Sequence, residues 1–135
     1  MGTIVASFLS LEQIMNIIFI AIISIILSVA AQFLLKAGMS SLDIKQAFAQ
    51  PLTFRLPWIV LTNKFIFSGF TLYGLGAVVW LKVLSTWDVS KAYPLVGLGF
   101  GLTVLVGMAM GESITLYRVL GVLLICEGVW LVANS

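Results

Sequence analysis

Residues Ile14 to Lys36 read IMNIIFIAIISIILSVAAQFLLK, and no charged side chain interrupts the run before its last position. A helix needs about 20 mostly apolar residues to cross the hydrocarbon core of a bilayer. This run meets that length, so it predicts a membrane-spanning helix and, with it, the class of fold. The run closes on SVAAQFLLKAG, Ser28 to Gly38. Gln32 and Lys36 are four apart there and share one helix face. Lys36 stands at the helix end, where its long stem reaches the headgroups. Gln32 lies one turn deeper and is neutral, which suits an interhelical hydrogen bond or a substrate contact.

The rest of the chain agrees. Of 135 residues, 61% are hydrophobic and 9% charged, and the mean hydropathy is +1.19. A soluble domain carries about a quarter charged residues. The reading is an all-α integral membrane protein, expected as one transmembrane domain over residues 1–135. The net charge of +2 is small and no basic run tracks phosphates, so no nucleic-acid partner is expected. There is no histidine, and Cys126 is the single cysteine. That excludes an internal disulfide and a Cys/His metal site; no metal or cofactor is expected. Glu12 ahead of the apolar run and the absence of a basic leader argue against a cleaved signal. The first segment is expected to remain as an anchor.

Four spans are predicted, at about 14–36, 64–85, 91–111 and 114–133. Helices are required because an open strand in lipid leaves backbone groups unpaired. Short links join spans two to three and three to four, which makes those neighbours antiparallel. The connection 39–63 is longer. Pro51 and Pro57 prevent one continuous helix there. Its Phe48, Phe54 and Trp58, beside Lys45 and Arg55, suit an interfacial or re-entrant segment. Lys36, Lys45, Arg55, Lys64 and Arg118 flank one membrane side, and Lys82 and Lys91 the other. That bias places both termini outside, although the split is small enough to permit both orientations.

Few residues carry chemistry. Glu127 lies about 12 Å from the chain end along the fourth helix. An acid at that depth is costly unless protonated, paired or wet, so it is either a proton- or ion-coupling group or a structural hydrogen-bonded acid. Lys82 and Lys91 lie near one membrane face. They are either snorkelling side chains or a pair of cations for an anionic substrate group. Tyr93 and Pro94 follow, and the start of the third helix offers free N–H groups to an anion. Gly97, Gly99 and Gly101, with Gly107 and Gly111, read as close helix packing, with a bend as a compatible role. Gly121 and Gly128 read as a second packing face. Trp58, Trp80, Trp87 and Trp130 fall near helix ends, where interface anchoring is the default. No nucleophile–base pair, paired carboxylates or phosphate loop is present, and no enzyme activity is expected.

Three of these stretches together resemble a known group, the drug/metabolite transporter superfamily of small multidrug resistance and EamA-like proteins. SVAAQFLLK is similar to the first helix of the subunits that flip undecaprenyl-phosphate-linked aminoarabinose. VVWLKVLSTWDVSKAYPLVGLGF, residues 78–100, resembles their junction of helices two and three, with Trp80, Ala92, Tyr93 and Pro94 matching. GVLLICEGVWLVA, residues 121–133, resembles the fourth helix through which the multidrug exporters pair.

The resemblance implies a half-size, flippase-type transporter of the bacterial inner membrane that moves a polyprenyl-phosphate-linked sugar or a related anionic lipid. It implies a homodimer or a heterodimer with a second four-helix subunit, paired through Gly121, Leu124, Ile125, Gly128 and Val129. Substrate contacts are expected at Lys82, Lys91, Tyr93, Gln32 and Trp80. Two departures stand out. Ser28 occupies the position where the multidrug exporters have their helix-one glutamate, which speaks against cationic-drug export by that mechanism. Glu127, Lys82 and Lys91 stand where the related subunits have small or apolar residues. Two alternatives therefore stay open: a proton-coupled small-solute exporter using Glu127, and a non-transporting accessory subunit of a membrane glycosyltransferase.

Overall fold

The computed structural model describes residues 2–51 and 54–135, with side chains from residue 10 onward. The elements are helices α1 (Gly2–Met39), α2 (Leu42–Ala49), α3 (Leu56–Thr62), α4 (Lys64–Leu84) and α5 (Val89–Ala92), a 3-10 turn (Tyr93–Gly97), then α6 (Leu98–Ala109) and α7 (Leu116–Ala133). No strand occurs among the described residues. Four helical stretches are long and apolar enough to cross a membrane: Ser10–Met39, Lys64–Leu84, Val89–Ala109 and Leu116–Ala133. Most of their large apolar side chains, such as Phe19, Phe67, Leu105 and Leu124, are exposed on the chain surface. That is the expected inversion for helices whose solvent is lipid.

The centre of the fold is the antiparallel pair α1–α4, and small residues make it. Lipid tails are as apolar as leucine, so helices in a bilayer associate by close backbone approach. Ala21 and Ala31 of α1 are fully buried. Opposite them, a Cβ added at Gly69 would sit 2.8 Å from Leu35, and one at Gly76 would sit 3.2 Å from the Ser28 hydroxyl. At one end of the pair, a Cβ on Gly38 would come within 2.4 Å of Ile66. Asn63 closes that end. Its side-chain carbonyl accepts from the N–H groups of Phe65 and Ile66, and its amide donates to Ser41. At the other end, Ile17 and Ala21 pack with Val83 and Ala92, flanked by Trp80, Leu84 and Trp87.

One stretch departs from the sequence expectation. The third span, expected as one helix over 91–111, is interrupted. Pro94 has no N–H for a regular ladder, and the chain tightens into the Tyr93–Gly97 turn before α6 resumes. The connection 39–63 is largely helical, as α2 and α3. Pro57 falls in the first turn of α3, where it is tolerated, and residues 52 and 53 lie outside the described residues. The α6–α7 corner is set by Gly111, whose φ of 81° only glycine adopts readily. Gly111 N–H donates to the Met108 carbonyl and Glu112 N–H to the Gly107 carbonyl. This paired C-terminal cap fixes where Glu112 leaves the helix.

Candidate functional site: a neutral cleft between three spans

Ser24, Ser28 and Gln32 recur every four residues on α1, so one face of that helix carries a polar stripe. Tyr73, Ala77 and Trp80 recur at four and three on α4 and face it. The 3-10 turn and α6 complete the enclosure with Tyr93, Val96, Gly99, Phe100 and Thr103, leaving a cleft of about 270 Å³. Gly99 permits this closure, since a Cβ there would meet Ile25 of α1 at 3.3 Å. The cleft therefore lies along the middle of α1, between the two ends of the α1–α4 pair.

Its wall interleaves polar groups with the apolar side chains of Ile25, Val29, Ala77 and Val96. No charged side chain lines it. Ser24 is buried and donates to the Gly76 carbonyl at 2.7 Å. Thr103 donates to the Gly99 carbonyl at 2.8 Å. Both are spent within the protein. Among the described residues, Ser28, Gln32, Tyr73 and Tyr93 make no side-chain hydrogen bond within the chain. They offer an amide, three hydroxyls and the faces of two phenol rings, beside the rings of Trp80 and Phe100. Such a wall holds hydroxyl-rich rings by hydrogen bonding and stacking, and attracts a cation by ring faces alone.

The residues expected from sequence divide accordingly. Gln32, Trp80 and Tyr93 lie on the cleft. Lys82 and Lys91 do not line it. Lys82 is exposed and, two residues from Trp80, projects about 200° away around α4. Lys91 is exposed at the end of the bundle near Tyr93, with its ammonium 5.7 Å from the Trp87 ring centre. Glu127 is exposed on the outer face of α7 rather than buried within the chain. Its neighbours Cys126 and Val122 face Gly101 instead, at 3.7 and 3.8 Å from a Cβ built there.

The expected pairing face of α7 is divided too. Val129 is buried, and it and Ile125 close on Gly97 within the chain, at 2.9 and 3.1 Å from a Cβ built there. Val129 is thereby withdrawn from the outer face, while Ile125 stays partly exposed on it. A Cβ built at Gly121 or Gly128 would meet no neighbouring element within 4 Å, and Leu124 is exposed. Gly97, Gly99 and Gly101 each meet a neighbouring helix, which is the packing role.

Ser24, Tyr73, Phe100 and Thr103 were not singled out in the sequence. The four-residue recurrence Ser24–Ser28–Gln32 was the available signal for the first. Tyr73 is readable only as seven residues ahead of Trp80 on one face. Phe100 and Thr103 carried no local signal, because the turn at Tyr93–Gly97 sets which face of α6 turns inward.

At the end of the polar stripe, Lys36 pairs with Glu112 beyond the α6–α7 corner. It is the one ion pair among the described residues. Glu112's carboxyl is held below its ordinary value, first by the hydrogen bond from Lys36, then by the charge of Lys36, with Arg118 adding to it.

Four helices long and apolar enough to span a membrane, three of them around an uncharged cleft, define a small multi-pass membrane protein. No family model matches the sequence, and no solved structure matches it. Among curated proteins it is similar to a probable 4-amino-4-deoxy-L-arabinose-phosphoundecaprenol flippase subunit ArnF of Proteus mirabilis, 34% identical over 121 residues, covering 85% of this chain and 90% of that one. The ArnF of Serratia proteamaculans is 31% identical, covering 83% and 88%. A probable ArnE subunit of Pseudomonas savastanoi pv. phaseolicola is 39% identical over 71 residues, covering 52% and 62%. The chain belongs to the ArnE/ArnF flippase-subunit family of small multidrug resistance-like membrane proteins. It is a flippase-type transporter subunit.

Proposed function

We propose that this subunit translocates a polyprenyl-phosphate-linked sugar across the bacterial inner membrane, with the sugar passing through the cleft. The observation that carries the reading is the wall itself. Gln32, Ser28, Tyr73 and Tyr93 offer free hydrogen-bonding groups among aromatic rings, inside the span region, with no fixed charge. A glycosyl group shed of water meets replacement hydrogen bonds there, while the lipid tail stays in the bilayer. In this reading Lys91, exposed near Tyr93, meets the phosphate at that end of the path. Lys82, turned from the cleft, contributes at most through the headgroup region.

One chain encloses only part of a pathway. We infer a second four-helix subunit, identical or related, against the open face of α7 around Gly121, Leu124 and Gly128. The relatives' names include both an ArnE and an ArnF subunit, which favours a heterodimer. A coupling role for Glu127 would run through that partner, since the carboxylate does not face the cleft. The reading is of transport, with no catalytic step.

The deciding experiment is a reconstituted flipping assay with a panel of polyprenyl-phosphate-linked sugars, run on the protein alone and with a candidate second subunit. Sugar-dependent translocation is expected in at least one arrangement. Failure in every arrangement, together with co-purification with a membrane glycosyltransferase, would establish the accessory role instead.

A further inference from the structure

The polar stripe of α1 does not end at Gln32. Its next four-residue step is Lys36, about 6 Å further along the axis. Lys36 is not part of the cleft wall but stands one step beyond it on the same side of α1, toward the membrane surface opposite the end that carries Lys91. Its side chain is 62% exposed, and the Glu112 side chain that holds it is 32% exposed. An exposed ion pair adds little to stability and exchanges readily with other ions. Glu112 also sits in the field of a second cation, Arg118, at the start of α7. Removing Lys36 from Glu112 thus leaves the carboxylate with a positive neighbour.

The two ends of the cleft differ in this respect. Lys91 has no carboxylate partner among the described residues, and its ammonium rests on the Trp87 ring. Lys36 is masked by an acid held in place by the Gly111 corner, where a Cβ on Gly107 would already sit 3.0 Å from the Glu112 carboxylate. A path for a phosphate between two membrane faces would have an open cation at one mouth and an occupied one at the other.

We propose that Lys36 is the phosphate contact at the second mouth of the cleft, and that Glu112 is a built-in competitor which the phosphate displaces. Displacement also unties α1 from the α6–α7 corner, so arrival of the anion and loosening of that mouth are one event. This rests on the transport reading above for its biological meaning. The binding step itself does not require transport and is tested apart from it.

The test is binding of undecaprenyl phosphate to the full-length protein in nanodiscs of zwitterionic lipid. Variants are Glu112→Gln, Lys36→Gln and the charge exchange Lys36→Glu with Glu112→Lys. Competition predicts that Glu112→Gln binds about tenfold more tightly and Lys36→Gln about tenfold more weakly, the usual scale for one charge-assisted contact. The charge exchange rebuilds an ion pair, yet it must bind as weakly as Lys36→Gln, because position 36 is then an anion. A purely structural pair predicts the reverse: both single variants lose binding and melt lower, and the exchange recovers both. That pattern, or equal affinity in all variants, overturns the proposal. Wild-type flipping of a lipid-linked sugar is scored separately, so failed transport with the predicted binding order refutes the transport reading and leaves the competition standing.

Discussion

The Ser24 hydroxyl donates to the carbonyl of Gly76 at 2.7 Å, across the α1–α4 interface and out of contact with lipid. Gly76 makes this contact possible, because a side chain there would meet Ser28, Leu27 and the Ser24 carbonyl within 3.3 Å. The bond sits directly behind the cleft. Its strength and the closeness of the helices therefore set the shape of the wall that carries Ser28, Tyr73 and Trp80.

Gly76→Ala should destabilise the protein by about 1–3 kcal/mol, the cost of overpacking a close contact that includes backbone. Ser24→Ala should cost less, about 0.6 kcal/mol and at most about 1.7, the range for interhelical hydrogen bonds in bilayers. Thermal or denaturant unfolding in detergent micelles measures both. A neutral Gly76→Ala would show that α1 and α4 are not in close contact here.

The cleft and its surroundings separate in a transport assay. Tyr93→Ala and Gln32→Ala should each lower sugar-lipid flipping about tenfold, by removing one hydrogen-bonding or stacking contact of roughly 1–2 kcal/mol. Lys91→Ala should lower it too, with the loss shrinking at higher salt, because salt screens the charge contact that the wild type makes. Lys82→Ala alone should leave the rate within about twofold, since its side chain projects from the other face of α4. A severe defect in Lys82→Ala would move the phosphate contact to that face.

Glycines on the third and fourth spans predict opposite outcomes. Gly97→Leu drives a side chain into Val129 and Ile125, so it should lower the melting temperature of the single chain. At Gly128 an added Cβ points into open space, so Gly128→Leu is the contrasting variant. It should leave folding intact and reduce association with the second subunit, as read by cross-linking in membranes. Equal association in wild type and Gly128→Leu would place the partner on another face.

The Lys36–Glu112 pair has a defined pH signature. Glu112's carboxyl is lowered from the ordinary 4.5 by the Lys36 hydrogen bond and charge. Its contribution is then fully present above that ordinary value and is lost as pH falls through the lowered one. The difference in melting temperature between wild type and Glu112→Gln should be constant near neutrality and vanish in acid. In Lys36→Gln most of this contribution is absent, so the acid loss should be much smaller and confined close to the ordinary carboxyl value.

Much of the architecture was legible in the chain. The Ile14–Lys36 run, the three later apolar segments and the short links identified a four-helix membrane protein, because a bilayer dictates helix length and forbids unpaired backbone. The match of Ser28 to Lys36, of Trp80 to Pro94 and of the α7 glycines led to the family that the relatives confirm. Gln32, Trp80 and Tyr93 were identifiable because an amide and amphipathic rings are rare enough in apolar helices to stand out.

What the sequence left open was rotation and partnering, which belong to no local segment. Composition placed Lys82 and Glu127 in the membrane region but not on a side of a helix. Only packing against α1 turned Lys82 outward, and only the closure of Ile125 and Val129 on Gly97 put Glu127 on the outer face. Lys36 and Glu112 are 76 residues apart, and nothing near either one announces the other. The apolar pattern fixes which residues enter the bilayer, since that is a transfer between two solvents. Inside it, lipid and leucine are alike, so glycine contacts and a few hydrogen bonds decide which face meets which.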